Sequence, residues 1–493
     1  MPFSHEHWIK KEDIPQILSY NKKDVIATNE FLNVTLGNTD NPLYKGKNKI
    51  ELRQKVALKY KIPCLNYDDI KLGTELILKL YCDKFNKDPR IIRHSGTPRR
   101  IIDLSECIPT WCKFSSKEFN SLKDYFSSKF IHDGITKNVL KYSVIYHGIK
   151  IDYGTGGAHA SIKPGVYESN DEYVILDLDL DSMYPMLGIT QGMYPQHLGP
   201  EFIDIYGGEI VSVRIAEKKK PKSERDYVIV EGFKLAANGA VGKTNEEKSW
   251  LYDPKYNMQT TISGQLGLSM WAERLVKASP TCQFIQMNTD GVTIRIPRKD
   301  YDKCIFETEE LMHEINMTYE AVTYKKMVIM DVNNYAAQYE NGSCKFKGLF
   351  EINKELHKDP SMKIVPIALA EYFFNGVPIK ETIHNHKNIY DFCLRLRTDS
   401  RFLAQFHYID EGKLSIKNLS KTTRYYISNS GGSLYKKSTD SSKLIGVNVG
   451  FITTVLNNVG NMDIESRNIN YDFYIKECRK IIDQIEDRQL SLF

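Results

Sequence analysis

The sequence predicts a mixed α/β (α+β) fold, and three stretches carry that prediction. Residues 173–180, YVILDLDL, alternate in type with the period of two that marks a strand, and three acids (Asp177, Asp179, Asp181) fall at every second position, so an extended chain points them to one face. Residues 259–276, QTTISGQLGLSMWAERLV, are apolar on most sides, the pattern of a largely buried helix with Gln259 and Gln265 as polar exceptions. Residues 284–296, FIQMNTDGVTIRI, place Asp-Gly between two alternating runs, a hairpin signal with Asp290 at its tip.

The chain has 493 residues, enough for roughly two to four domains. Its 67 Lys and Arg stand against 62 Asp and Glu, a net charge of +5, so any basic surface must be local. The nine Cys residues contain no C-x-x-C pair, which excludes a recognisable zinc site or disulfide framework and fits a reducing compartment. The start, MPFSHEHWIKKED, lacks a signal pattern, and no apolar run is long enough to span a membrane. These features predict a soluble, cytoplasmic protein.

In chain order, residues 14–32 have apolar positions near helical spacing, and Tyr20 and Asp24 share one face of that helix. Residues 36–150 mix helical stretches at 49–60 and 74–85 with a basic segment around Pro98-Arg99-Arg100, a connecting or DNA-contacting module or a solvated surface. Residues 153–159, YGTGGAH, form a Gly-rich turn, either a close approach of backbone to phosphate or a plain tight turn; His159 stands where a dinucleotide fingerprint needs glycine. The spacing of Asp177, Asp179 and Asp181 also suits the start of a calcium loop, but Ser182 and Gly188 stand where that loop needs Gly and Glu.

Residues 211–242 read as two helices broken near Lys220-Pro221-Lys222. Arg214 and Lys218 lie four apart on the first, Lys234 and Asn238 four apart on the second, so facing cations could grip a polyphosphate. Gly242-Lys243-Thr244 is no phosphate loop, because Ala237 occupies the required Gly position. Residues 333–348 form a second hairpin-like unit with Tyr335 and Lys347, and 360–374 read as a helix. Residues 424–432, RYYISNSGG, interleave Arg424 and Tyr425 with glycine, suiting either a nucleic-acid backbone or a surface hairpin. An amphipathic helix over 471–485 precedes the terminal QLSLF.

The order of these signals resembles motifs A, B and C of the family B DNA polymerases, in the bacteriophage form. DLDSMYP (179–185) matches motif A, KLAANGAVG (234–242) motif B and NTDG (288–291) motif C. The 153–157 turn looks like that family's Y-x-G-G linker, and Asn333-Asn334-Tyr335 resembles its primer-gripping K-x-Y element, with Asn333 in place of Lys. The resemblance runs from about residue 5 to the end and implies a right-hand polymerase: palm over 151–350, fingers inserted at about 205–245, thumb over 351–488, and the last piece of a 3′–5′ exonuclease domain over 1–35.

It also implies roles. Asp179, Asp290 and the Leu180 carbonyl would hold two Mg2+ ions, or Mn2+, which clamp attacking and leaving oxygens about 3.5–4 Å apart; two carboxylates suffice because magnesium takes its other ligands from phosphate and water. Lys234, with Arg214 and Lys218, would hold the dNTP triphosphate, where charge develops. Tyr184 would lie under the sugar and exclude a ribose, which argues against a primase, and Asn238 would sit against the base pair. Tyr153, Gly156, Gly157, Tyr335, Lys347, Arg424 and Tyr425 would contact primer-template DNA. Asn288 replaces the first acid of motif C, and Gly239 and Val241 replace the common Ser and Tyr of motif B. These departures leave a catalytically weakened DNA-binding subunit as the alternative.

Tyr20 and Asp24 resemble the third exonuclease motif, Y-x-x-x-D, without the first two. The expectation is one half of a split polymerase, with a second polypeptide completing that site. The short interval from Asp179 to Lys234 leaves no room for the insertions of protein-primed relatives, so a nucleic-acid primer is expected. Gln489, Leu490, Leu492 and Phe493 of QLSLF resemble the peptide that bacterial replication proteins insert into the β sliding clamp. The setting these features imply is phage or mobile-element replication in a bacterial cytoplasm.

Overall fold

The computed structural model describes residues 8–40, 45, 46, 48, 50–354, 361–456 and 464–490, with backbone alone for 465, 466 and 487–490. Its centre is the strand Tyr173–Leu180, which pairs antiparallel with Gly291–Pro297 on one side and Tyr319–Asp331 on the other. Around these three strands runs a ten-stranded sheet. It continues past Gly291–Pro297 through Gln283–Asn288, Gly157–Ser161, Ile149–Gly154 and Lys141–Tyr146, and past Tyr319–Asp331 through Asn334–Tyr339 and Cys344–Phe346. Gly165–Glu168 pairs further along Tyr319–Asp331.

The alternation in the central strand decides what each face does. Val174, Leu176, Leu178 and Leu180 enter the largest core, beneath the helix Pro254–Ala278. Ile175 packs on the opposite face with Met327 and Tyr335, and Asp177 and Asp179 continue that face toward the strand end. Each fully buried aliphatic side chain contributes roughly 1.5–3 kcal/mol, so the apolar face fixes the register and the acids follow.

The helix Pro254–Ala278 is longer at both ends than its apolar run suggests, because Asp253 caps it by accepting the Lys255 N–H at 3.1 Å, with Pro254 in the first turn. Asp253 is nearly fully buried and pairs with Arg99 at 3.2 Å. The basic segment at 98–100 therefore spends Arg99 on a helix cap, not on a nucleic acid.

Residues 204–243 form a bent helical pair: a π-helical stretch Asp204–Ser212 running into Val213–Lys219, an extended break at Lys220, then Val228–Gly232 and Phe233–Lys243. The helix Asp69–Phe85, expected within a connecting module over 36–150, shares this pair's core through Ile77, Leu78 and Tyr81. Contact is closest at Gly73, where a Cβ would meet the Leu235 backbone carbonyl and the Ala236 nitrogen at 2.7 Å. Neither backbone can yield locally. Gly73→Ala is expected to cost about 1–3 kcal/mol by overpacking, read as a lower midpoint in urea at unchanged slope.

A six-stranded sheet completes the chain. Its longest strand, Thr422–Ser438, pairs with Leu394–Arg397, Phe402–Asp410, Leu444–Val447 and Thr453–Val455. The 424–432 stretch is therefore no surface hairpin but one strand with a register irregularity between Ile427 and Gly432. The helix expected over 360–374 is described as Ile364–Ala370 followed by a π-helical turn Glu371–Asn375; Pro360 lies outside the described residues. The final helix Tyr471–Leu490 packs on Ile364–Ala370 and reaches Gly165–Glu168 and Tyr319–Asp331 in the large sheet. At the other end, the helix Ile14–Leu36 has no buried residue. Among the described residues no helix is long and apolar enough to cross a membrane.

Candidate active site

Two turns meet at the end of the central strand. Asp179 lies opposite Gly291 in the ladder, and the Leu180 N–H donates to the Asp290 carbonyl at 2.8 Å, tying the acidic strand to the Asn-Thr-Asp-Gly turn. Gly291 is required there, since a Cβ would stand 2.8 Å from the Asp179 Oδ1 and from the Leu178 carbonyl. Thr289 has φ +45°, which β-branched residues rarely adopt, and Ser182, just past the acidic strand, has φ +48°. Both strained residues flank the acids, where such conformations persist only if the surroundings impose them. The turn is pinned by the Thr289 N–H donating to the Ala158 carbonyl at 3.1 Å and by Thr289 Oγ1 lying 3.2 Å from His159 Nε2.

Asp179 reaches solvent but is crowded on its protein sides. This desolvation, then Asp290 and then Asp177, raises its carboxyl to about 7. Burial likewise pushes Asp290 up, opposed by its own backbone and by Lys345 and Lys347. Unfolded, Asp179 titrates near 3.8, so between there and about 7 the folded chain holds a proton the unfolded chain has lost. Metal-free stability therefore falls as pH rises through that window and stays reduced above it. Asp179→Asn removes the effect, and its gain in melting temperature over the native chain in EDTA is expected to be larger at about pH 8 than at about pH 5.

Of the three aligned acids, Asp181 lies beyond the strand and donates its N–H to the Thr318 carbonyl. Asp177 accepts from Thr293 Oγ1 at 2.5 Å and from the Tyr324 hydroxyl at 2.6 Å. Asp179 and Asp290 are left as neighbouring charges at the strand end. Among the described residues no group of three or more His, Cys, Asp or Glu is clustered as a metal site. The donor set is two carboxylates gathered at one strand end, and that fits Mg2+ with phosphate and water as remaining ligands.

Beside the acids lies a cleft of about 1120 Å³ lined by Gly156, Gly157, His159, Tyr184 and Asn238, with Lys137 and Lys141 at its edge. Tyr184 donates its hydroxyl to the Gly156 carbonyl at 2.8 Å, and Gly264 of the long helix leaves room for its ring, where a Cβ would stand 3.2 Å away. The structure thus brings Tyr184, Asn238 and the Gly-rich turn together. Lys234 and Asn238 share the exposed face of Phe233–Lys243. Lys218 is exposed, whereas Arg214 is half-buried, donates Nε to the Val230 carbonyl at 3.2 Å, and has its pKa lowered by that burial.

Three expected DNA contacts need correction. Tyr153, Tyr335 and Tyr425 are 2%, 4% and 3% exposed. Strand alternation turns each ring inward: Tyr153 bonds Ser269 at 2.8 Å, and the Tyr425 hydroxyl accepts from Asn448 at 3.0 Å. Lys347 is exposed and Arg424 half-buried. Tyr20 lies beside Asp24 on the N-terminal helix, and that carboxylate raises the phenol's pKa. The Gln489 and Leu490 side chains, Leu492 and Phe493 lie outside the described residues. Lys345, Tyr324 and Thr293 also belong beside the acids, and no local sequence pattern marks them: Asp177 meets Thr293 only through the strand register.

No protein-family profile matches the chain, and no curated protein does. Among solved structures, it is similar to the family B DNA polymerase from the hyperthermophilic archaeon Pyrobaculum calidifontis, at 13% identity and a TM-score of 0.45. That likeness covers 98% of this chain and 58% of the other, so the chain spans little more than half the length of the protein it resembles.

Proposed function

We propose that the chain is a template-directed DNA polymerase of the bacteriophage family B type, extending a nucleic-acid primer with dNTPs in phage or mobile-element replication. One observation carries the reading: Asp179, on the central strand, and Asp290, in the turn between two neighbouring strands, are brought to one strand end by the backbone hydrogen bond from Leu180 to Asp290, next to a cleft that Tyr184 and Asn238 share. In this reading the large sheet is the palm, 204–243 with Asp69–Phe85 the fingers, and the second sheet the thumb.

Asp179, Asp290 and the Leu180 carbonyl would hold two Mg2+ ions, or Mn2+. When bound, the ions polarise the phosphoryl group and ease ionisation of the primer hydroxyl. Lys234 binds the triphosphate and offsets charge developing on it, with Lys218 at the periphery and Arg214 held back on the Val230 carbonyl. Tyr184, fixed by Gly156, forms a rigid floor that excludes a 2′-hydroxyl. Gly156 and Gly157 let the template backbone approach closely, and Lys347 and Arg424 meet the duplex.

The finer assignments belong to the same proposal. The helix Ile14–Leu36, with Leu18, Val25 and Leu32 exposed at seven-residue spacing, supports docking of a second polypeptide that completes an exonuclease site at Tyr20 and Asp24. QLSLF would engage the β sliding clamp. The nine free cysteines suit a bacterial cytoplasm. Primer extension by the purified chain with Mg2+ and dNTPs tests the reading: product matching the template supports it, and DNA binding without extension leaves a non-catalytic subunit in its place.

A further inference from the structure

Asp177 sits one alternation behind Asp179 on the same face, yet both its oxygens are occupied. Thr293 holds Oδ1 at 2.5 Å, and Tyr324 holds Oδ2 at 2.6 Å. The Lys345 ammonium, from the outermost strand Cys344–Phe346, stands 3.8 Å from Oδ2 and 3.3 Å from the Tyr324 hydroxyl. It lies 5.8 Å from the Tyr335 ring centre, which closes the far side. A metal ligand needs a free lone pair facing the ion; these oxygens are directed into the sheet.

We propose that Asp177 is withheld from the metal site and forms with Lys345 a charge-balanced pair that sets how tightly Asp179 and Asp290 hold a divalent cation. The two partners act on the site with opposite sign: Asp177, two residues along the same strand face, adds negative potential there, and the Lys345 ammonium, 3.8 Å from its Oδ2, adds positive potential. Burial works against the ammonium, but Asp177 and then Tyr335 outweigh it, so Lys345 stays charged. The pair therefore adds no net charge, and losing either member unbalances the site. The inference rests on the proposed metal site and concerns how its affinity is set.

Mn2+ binding to the full chain without DNA, followed by electron paramagnetic resonance at fixed pH and ionic strength, tests it. Lys345→Met leaves the Asp177 charge uncompensated and tightens binding by about 3- to 10-fold, the scale of one added charge within several ångströms at a partly solvated site. Asp177→Asn leaves the ammonium uncompensated and weakens it by a similar factor. The double variant returns to within about twofold of native, because the pair is lost as a neutral unit. If the double variant binds as weakly as Asp177→Asn, Asp177 is a ligand and the inference falls; it falls too if all three bind like the native chain. Melting temperatures verify folding. Should the Asp177 variants not fold, Lys345→Met, at a side chain 32% exposed, decides alone: unchanged or weaker binding overturns the proposal. A native chain that fails to bind Mn2+, or binds it regardless of Asp179→Ala, defeats the metal site itself and the inference with it.

Discussion

Asp179→Ala and Asp290→Ala are each expected to lower primer extension by about 10³-fold or more while the protein stays folded. Of the three aligned acids, Asp179 is the one neither held by sheet partners nor outside the strand: Asp177 is held by Thr293 and Tyr324, and Asp181 lies beyond the strand, while Asp290 is tied to the strand end through Leu180. Removing either halves the negative charge available for a divalent ion. Neither change opens a core cavity, and Asp179→Ala also removes the carboxyl that desolvation, and then Asp290 and Asp177, raise to about 7. Melting temperature should therefore hold or rise while single-turnover incorporation collapses. Undiminished extension in either variant would remove that acid from the site.

Lys234→Ala is expected to lower kcat/KM for dNTP by about 10²-fold, the scale for losing one preorganised charge at a transferring phosphoryl group. Among the described residues nothing pairs with Lys234, and it projects from the same helix face as Asn238. Arg214 is half-buried and anchored by its Nε on the Val230 carbonyl, so it is less free than the exposed Lys234 to follow a triphosphate. Lys234→Arg should recover part of the loss, and binding of primer-template DNA should change little. Steady-state kinetics on a fixed primer-template, with gel-shift titration beside it, separates these outcomes; equal loss of DNA binding and nucleotide use would place Lys234 on the DNA instead.

What could be read in advance follows from how local each signal is. The strand 173–180 and the hairpin at Asp290 are written in alternation and in an Asp-Gly pair, so both acids were legible. Their juxtaposition was not, since it depends on a register that joins residues 112 apart, Asp179 with Gly291. Tyr153, Tyr335 and Tyr425 mislead for a related reason: a motif names a residue type, whereas strand parity decides whether its ring meets solvent. The Asp177 partners come from strands 116 to 168 residues downstream, Thr293 to Lys345. The joining of Asp69–Phe85 to the helical pair combines a shared apolar core with a close approach at Gly73, and neither names its partner in the sequence.

The strand Tyr319–Asp331 runs 13 residues, on the order of 40 Å of extended chain. One end carries Glu320 opposite Asp179, and the strand also contacts the C-terminal helix Tyr471–Leu490. Mechanically it is a strut: tension applied to the terminal helix is borne by the same hydrogen-bonded ladder that sets the height of Asp179. The C-terminal helix and Asp179 are thereby joined through one continuous strand.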